Sequence, residues 1–193
     1  MIQTKTSQIM LQVLLALLPG ILILSYLFGL SILSNIIVAI LFAIGLEAFC
    51  LKVRQKNILF ALQDNSALVT AILLAICLPP HIGVFKIFIG LVFAIIVAKH
   101  LYGGLGHNIF NPAMIGFIVL LIAFPQDFTN WPLVHNLNFD SLSNADAISE
   151  PTPLDPAFTS NHALGSSYLL AYYSVNLGWL IGGLYLLFKK LLH

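Results

Sequence analysis

Thr152 sits at the centre of the polar decapeptide Asp146-Ala147-Ile148-Ser149-Glu150-Pro151-Thr152-Pro153-Leu154-Asp155. Proline on both sides removes two backbone donors and fixes two φ angles, which leaves an extended strip rather than helix interior or central strand. The hydroxyl is therefore open to a modifying enzyme. Taken alone, a threonine between prolines in an acidic loop is also an ordinary solvated linker residue. A second group of reactive side chains, Glu47, Asp64, Lys99 and His100, lies within or at the ends of apolar runs, where an ionisable residue costs a few kcal/mol unless it is paired. Glu47 is expected to snorkel or to pair with Lys52. Asp64 reads as part of a helix cap, and Lys99 with His100 as cations suited to a helix C-terminus.

Other candidates carry less chemistry. His107, His135 and His162 have no ligand spacing, so no metal site is read from them. Cys50 and Cys77 stand alone, each in an apolar segment where packing is the expected role. Gly103, Gly104 and Gly106 lack both the preceding strand and the lysine of a phosphate loop. They read instead as a place where backbone passes closely between helices before Asn111 caps and Pro112 opens the next one.

The elements that must position these residues are membrane helices. Hydrophobic residues make up 60% of the 193 residues and charged residues 8%, against roughly 45–50% and 25% in soluble domains. Basic residues are too few and scattered for a nucleic-acid surface, so the lipid bilayer is the expected environment. Residues 6–46 carry no charge, which is twice the length of about 20 residues needed to cross a bilayer. The expected fold is an all-α polytopic integral membrane protein forming one membrane domain over residues 1–193. It has about six helices near 9–30, 32–51, 58–80, 84–101, 112–125 and 166–188, and one long loop over 126–165. Ser31, Ser34 and Asn35 mark the first break, and Pro19-Gly20 should kink the first helix. The third span is broken at Asp64-Asn65-Ser66, leaving Ala67–Leu78 as its helix and Pro79-Pro80 as its stop. The fifth is short and needs Asn108–Asn111 within the membrane, buried against protein.

Lys5, Lys52, Arg54, Lys56, Lys99, Lys189 and Lys190 fall on one side of this arrangement, and only Lys86 on the other. The segment from Pro125 to Gly165 holds five acidic residues and no Lys or Arg. The positive-inside rule then places both termini in the cytoplasm and the Thr152 strip outside, which is the periplasm if the membrane is a bacterial cell inner membrane.

The run from Lys99 through Gly103-Gly104-Leu105-Gly106 to Asn111-Pro112-Ala113-Met114-Ile115-Gly116 resembles the matching segment of the RnfD family, one of the membrane components of the Rnf (Rsx) electron-transport complex. Asp64 to Leu68, Ser7 to Leu18 and Ser149 to Asp155 share the resemblance in the same order, and the NqrB component of the sodium-pumping NADH:quinone reductase is a more distant relative. The resemblance implies a membrane subunit, not a stand-alone enzyme, of a complex that couples electron transport to ion translocation. It implies FMN joined through its phosphate to a threonine in an Asp-x-x-Ser-x-Ala-Thr type motif, attached by a flavin transferase. Asp146, Ser149 and Thr152 occupy the matching positions, with Pro151 where the pattern has alanine, so Thr152 is the expected cofactor-binding residue. The implied partners are the other Rnf complex components, A, B, C, E and G. Family members usually continue past the counterpart of Lys189-Lys190 with further membrane helices, so this chain is expected to lack the C-terminal half. The competing classes are a non-redox transporter or channel component, for which the broken third and fifth spans speak, and a truncated structural subunit.

Overall fold

A computed structural model describes residues 2–58, 62–104, 106–129 and 165–189. Among these residues the chain is all-helical and contains no strand. The two long apolar runs give α1 (Ile2–Phe28) and α2 (Leu30–Val53), each long and apolar enough to cross a bilayer. The shorter apolar helices α3 (Ser66–Cys77), α4 (Val84–Leu91) and α5 (Pro112–Ala123) follow, as in a polytopic membrane protein, then the brief α6 (Pro125–Thr129) and the 24-residue α7 (Gly165–Phe188). α4 runs without a break into nine residues of π-helix, Val92–His100.

The first turn differs from the sequence expectation. It falls at Gly29, whose φ of 73° lies in the left-handed region, and Ser31, Ser34 and Asn35 all lie within α2. Glycine reaches that conformation without the Cβ clash that penalises other residues. Two of these polar side chains bond within the helix or across to α3's stop. Ser34 Oγ donates to the Ser31 carbonyl, and the buried Asn35 Nδ2 donates to the carbonyls of Pro79 and Pro80 at 3.1 and 3.2 Å. Asn35 thus ties α2 to the stop that ends α3. Pro19 stands inside a continuous α1.

α2, α3, α4 and α5 share one apolar core. Ala39 and Ala43 of α2 and Ala71 and Ala75 of α3 are wholly buried, and small side chains let membrane helices approach closely. The approach of α4 to α5 is closer still. A Cβ on Gly116 would lie 2.6 Å from the Gly90 carbonyl oxygen, so that crossing requires glycine.

α7 packs on α1 through a second small-residue seam, Gly178 and Gly182 against Gly20 and Ala16, with Trp179 over Gly20. Tyr185 Oη donates to Gln12 Oε1 at the end of the seam.

These contacts sort the charges by end. Asn65 Nδ2 donates to Ser7 Oγ, Arg54 approaches His100, and Tyr185 meets Gln12. The start of α1, the ends of α2 and α7, the end of the π-helix and the start of α3 are therefore gathered at one end of the bundle. That end is basic. Lys86 lies at the opposite end, where Nζ contacts both carboxylate oxygens of Asp127 at 2.6 Å and rests 5.3 Å from the centre of the Phe124 ring. Both side chains remain partly exposed, so this pair should contribute little. A double-mutant cycle of Lys86→Met and Asp127→Asn, read by thermal unfolding in detergent, is expected to give a coupling of about 1 kcal/mol or less. A coupling several times larger would show that the pair is shielded from water.

Candidate functional site

The basic end of the bundle contains a chain of polar side chains drawn from three helices. Glu47 lies in α2 six residues before Val53, about 9 Å inside the helix end at 1.5 Å per residue. Lys99 and His100 close the π-helix, and Ser66 opens α3. Lys99 Nζ donates to Glu47 Oε1 and to Ser66 Oγ, each at 2.7 Å, and the Lys99 and Glu47 side chains are only 2% and 4% exposed. Ser66 Oγ donates in turn to Asp64 Oδ1 at 2.7 Å, and the Ser66 amide donates to the same oxygen at 2.8 Å. The sequence Asp64-Ser66-Lys99-Glu47 is thus one continuous hydrogen-bonded line.

His100 extends the line on the other side. Its Nε2 stands 3.1 Å from Glu47 Oε2, yet the two atoms are not aligned for a hydrogen bond. Arg54 Nη1 lies 3.4 Å from His100 Nδ1. An arginine nitrogen only donates, so that contact makes Nδ1 the acceptor and leaves the ring proton on Nε2, facing Glu47. One carboxylate therefore meets Lys99 on one oxygen and His100 on the other. Two consecutive residues of an ordinary α-helix point well apart. The wider turns of the π-helix reduce that angular step, which lets Lys99 and His100 both reach Glu47.

The local sequence explains the break that exposes Ser66 to this line. Asn65 adopts the left-handed conformation, with φ 59°, which asparagine tolerates better than most residues. Asp64 then turns its carboxylate back onto the Ser66 amide and hydroxyl. α3 and α5 are twelve residues each, about 18 Å long against a ~30 Å hydrocarbon core. Such half-helices leave polar backbone ends inside the bilayer only where protein or water covers them. For α3 the Asp64 carboxylate accepts from the Ser66 amide. For α5 the Asn111 side chain accepts from the Ala113 amide at 3.0 Å, with Pro112 as the first helical residue.

Several expectations are revised. Glu47 is buried against Lys99 and His100 rather than snorkelling or pairing with Lys52, which is exposed. Lys99 is a hydrogen-bonded partner in the interior and not only a helix-end cation. Ile109, Phe110 and Asn111 are exposed, not buried against protein. Cys50 is buried as expected, whereas Cys77 is exposed. Asp146, Ser149 and Thr152 lie outside the described residues. Ser66 was legible only as a cap residue, because nothing local signals that a hydroxyl will bridge a lysine thirty-three positions away.

Comparison with known proteins identifies the frame that carries this site. The NQR2, RnfD, RnfE family matches residues 2–193. The D component of the ion-translocating oxidoreductase complex from Ectopseudomonas mendocina is 44% identical over 207 residues, covering 97% of this chain and 60% of that relative. Components of the same description from Klebsiella pneumoniae and Escherichia fergusonii are 40% and 41% identical, and the match covers 64% of each. The chain thus spans somewhat under two thirds of the length of these curated relatives. With the match running from the second residue to the last, this chain belongs to the NQR2, RnfD, RnfE family.

Proposed function

We propose that this chain is a membrane subunit of an Rnf-type complex that couples electron transfer to ion translocation, and that it carries FMN in phosphoester linkage to Thr152. The observation that supports the complex is the whole-chain similarity to relatives described as the D component of an ion-translocating oxidoreductase complex. The flavin reading rests on Asp146, Ser149 and Thr152 at the spacing of the family's flavin motif. When bound, a flavin accepts one or two electrons and so links two-electron donors to one-electron centres, while the protein supplies position and electrostatic environment. Pro151 and Pro153 flank Thr152 in the sequence. Glu150 adds a negative charge beside the expected phosphodiester. The remaining partners are the other components of the complex, A, B, C, E and G, and the flavin transferase. The location in this reading is the bacterial inner membrane, with both termini cytoplasmic and the Thr152 loop outside, in keeping with the one basic end of the bundle.

Co-expression with the transferase followed by denaturing gel electrophoresis tests the flavin. Fluorescence should stay with the polypeptide and vanish in Thr152→Ala. Absence of fluorescence from the unsubstituted chain would refute the linkage.

A second reading has an observation of its own. The line from Asp64 to Arg54, buried at Ser66, Lys99 and Glu47, joins two broken helical regions, as ion paths in transporters do, so it is a candidate path for the translocated ion. Glu47→Gln in the assembled complex is expected to slow ion transport more than electron transfer. Unchanged transport with intact assembly removes Glu47 from the path.

A further inference from the structure

Among the described residues, α7 is packed mainly on one side. Its packing partner among the described residues is α1, through Gly178, Trp179, Gly182 and Tyr185. The opposite side carries Asn176, Leu180, Gly183 and Leu187, spaced i, i+4, i+7 and i+11, which is one stripe along a helix. Leu180 and Leu187 are 57% and 55% exposed. A Cβ added at Gly183 would meet nothing within 4 Å. Asn176 is exposed too, and it stands at the middle of the 24-residue helix, about 17 Å from either end.

A carboxamide at that depth has no water to bond. Leucine and glycine can face lipid, but an asparagine there favours a hydrogen bond across a helix interface, and a glycine one face-turn away admits a close neighbour. The stripe therefore has the two features of a membrane helix contact on the side that the described residues leave uncovered. The relatives are longer than this chain, which spans 60–64% of them.

We infer that the Asn176–Leu187 stripe of α7 is the docking face for a transmembrane helix belonging to the part of the protein that the relatives have and this chain does not cover. That helix brings a hydrogen-bonding side chain to the level of Asn176 and seats a larger apolar side chain over Gly183. The inference is independent of the flavin on Thr152, and neither result decides the other.

The test places a photo-reactive benzoylphenylalanine at Leu180 in cells making the protein in its own membrane, with adducts mapped by mass spectrometry. The expected adduct is a peptide from a segment that matches the uncovered part of the relatives. Asn176→Leu should lower its yield about threefold, the effect of one interhelical hydrogen bond in a bilayer, while Asn176→Gln should retain most of it. Adducts with a second copy of residues 1–193, with a different component of the complex, or with lipid alone would overturn the inference. So would a yield that Asn176→Leu leaves unchanged.

Discussion

Lys99→Met is expected to destabilise the fold by about 3–5 kcal/mol, the usual penalty for breaking a buried ion pair by removing one partner. The methionine fills much of the lysine's volume, so the loss is electrostatic rather than a cavity. It leaves Glu47 charged and enclosed, with His100 close but poorly aligned, and deprives Ser66 Oγ of its donor. The double variant Glu47→Gln/Lys99→Met removes both charges and should recover most of the stability, because a neutral pair no longer needs burial of net charge. Thermal unfolding of the purified protein in detergent, or its yield in the membrane fraction, reads both variants. If the single and double variants lose the same amount, the pair is not what holds α2, α3 and the π-helix together. The contrast with Lys86 and Asp127 is the informative one. Both pairs have short contacts, but only the interior pair lacks water to screen its charges.

The second large effect is expected at Gly182. A side chain there would run into the Ala16 carbonyl, and one at Gly178 would meet the Gly20 backbone. Backbone cannot yield as a flexible side chain can, so Gly182→Leu should force α7 away from α1, beyond the 1–3 kcal/mol or so that overpacking usually costs. Gly183→Leu is the internal control, since its Cβ points into open space. A cysteine pair at positions 12 and 185, in a background with Cys50 and Cys77 replaced by alanine, reports the distance directly. Oxidative cross-linking should survive Gly183→Leu and be lost in Gly182→Leu. Retention in both would mean that the seam is looser than the contact of Gly182 with Ala16 requires.

Much of the frame was legible from periodicity and charge. The apolar runs were long enough to demand membrane helices, and Asn111-Pro112 named the start of α5 because its capping chemistry is local. The break at Asp64-Asn65-Ser66 was legible for the same reason, since a carboxylate two residues before an amide can satisfy it without help from elsewhere. The turn at Gly29 was missed because three polar residues nearby offered a louder signal. The partners of Asn35, the carbonyls of Pro79 and Pro80, lie more than forty positions away. Glu47 was recognised as an unusual residue but assigned the wrong neighbour. Lys52 is near in sequence, whereas Lys99 is near only after α4 has crossed back and its last turns have widened into π-helix. No local pattern announces such a widening.

The distribution of charge now gives the two candidate sites different characters. The line from Asp64 through Ser66 and Lys99 to Glu47 is hydrogen-bonded throughout, buried at its centre and located at the basic end. The Thr152 strip is acidic and belongs to the loop with no Lys or Arg.

The central claim, that Thr152 bears the flavin, is tested most directly by the intact mass of the purified chain after co-expression with the flavin transferase. The account predicts the mass of the polypeptide plus one FMN less one water, and the unmodified mass in Thr152→Ala. An unmodified mass for the unsubstituted chain, or a flavin adduct that survives Thr152→Ala, would contradict it.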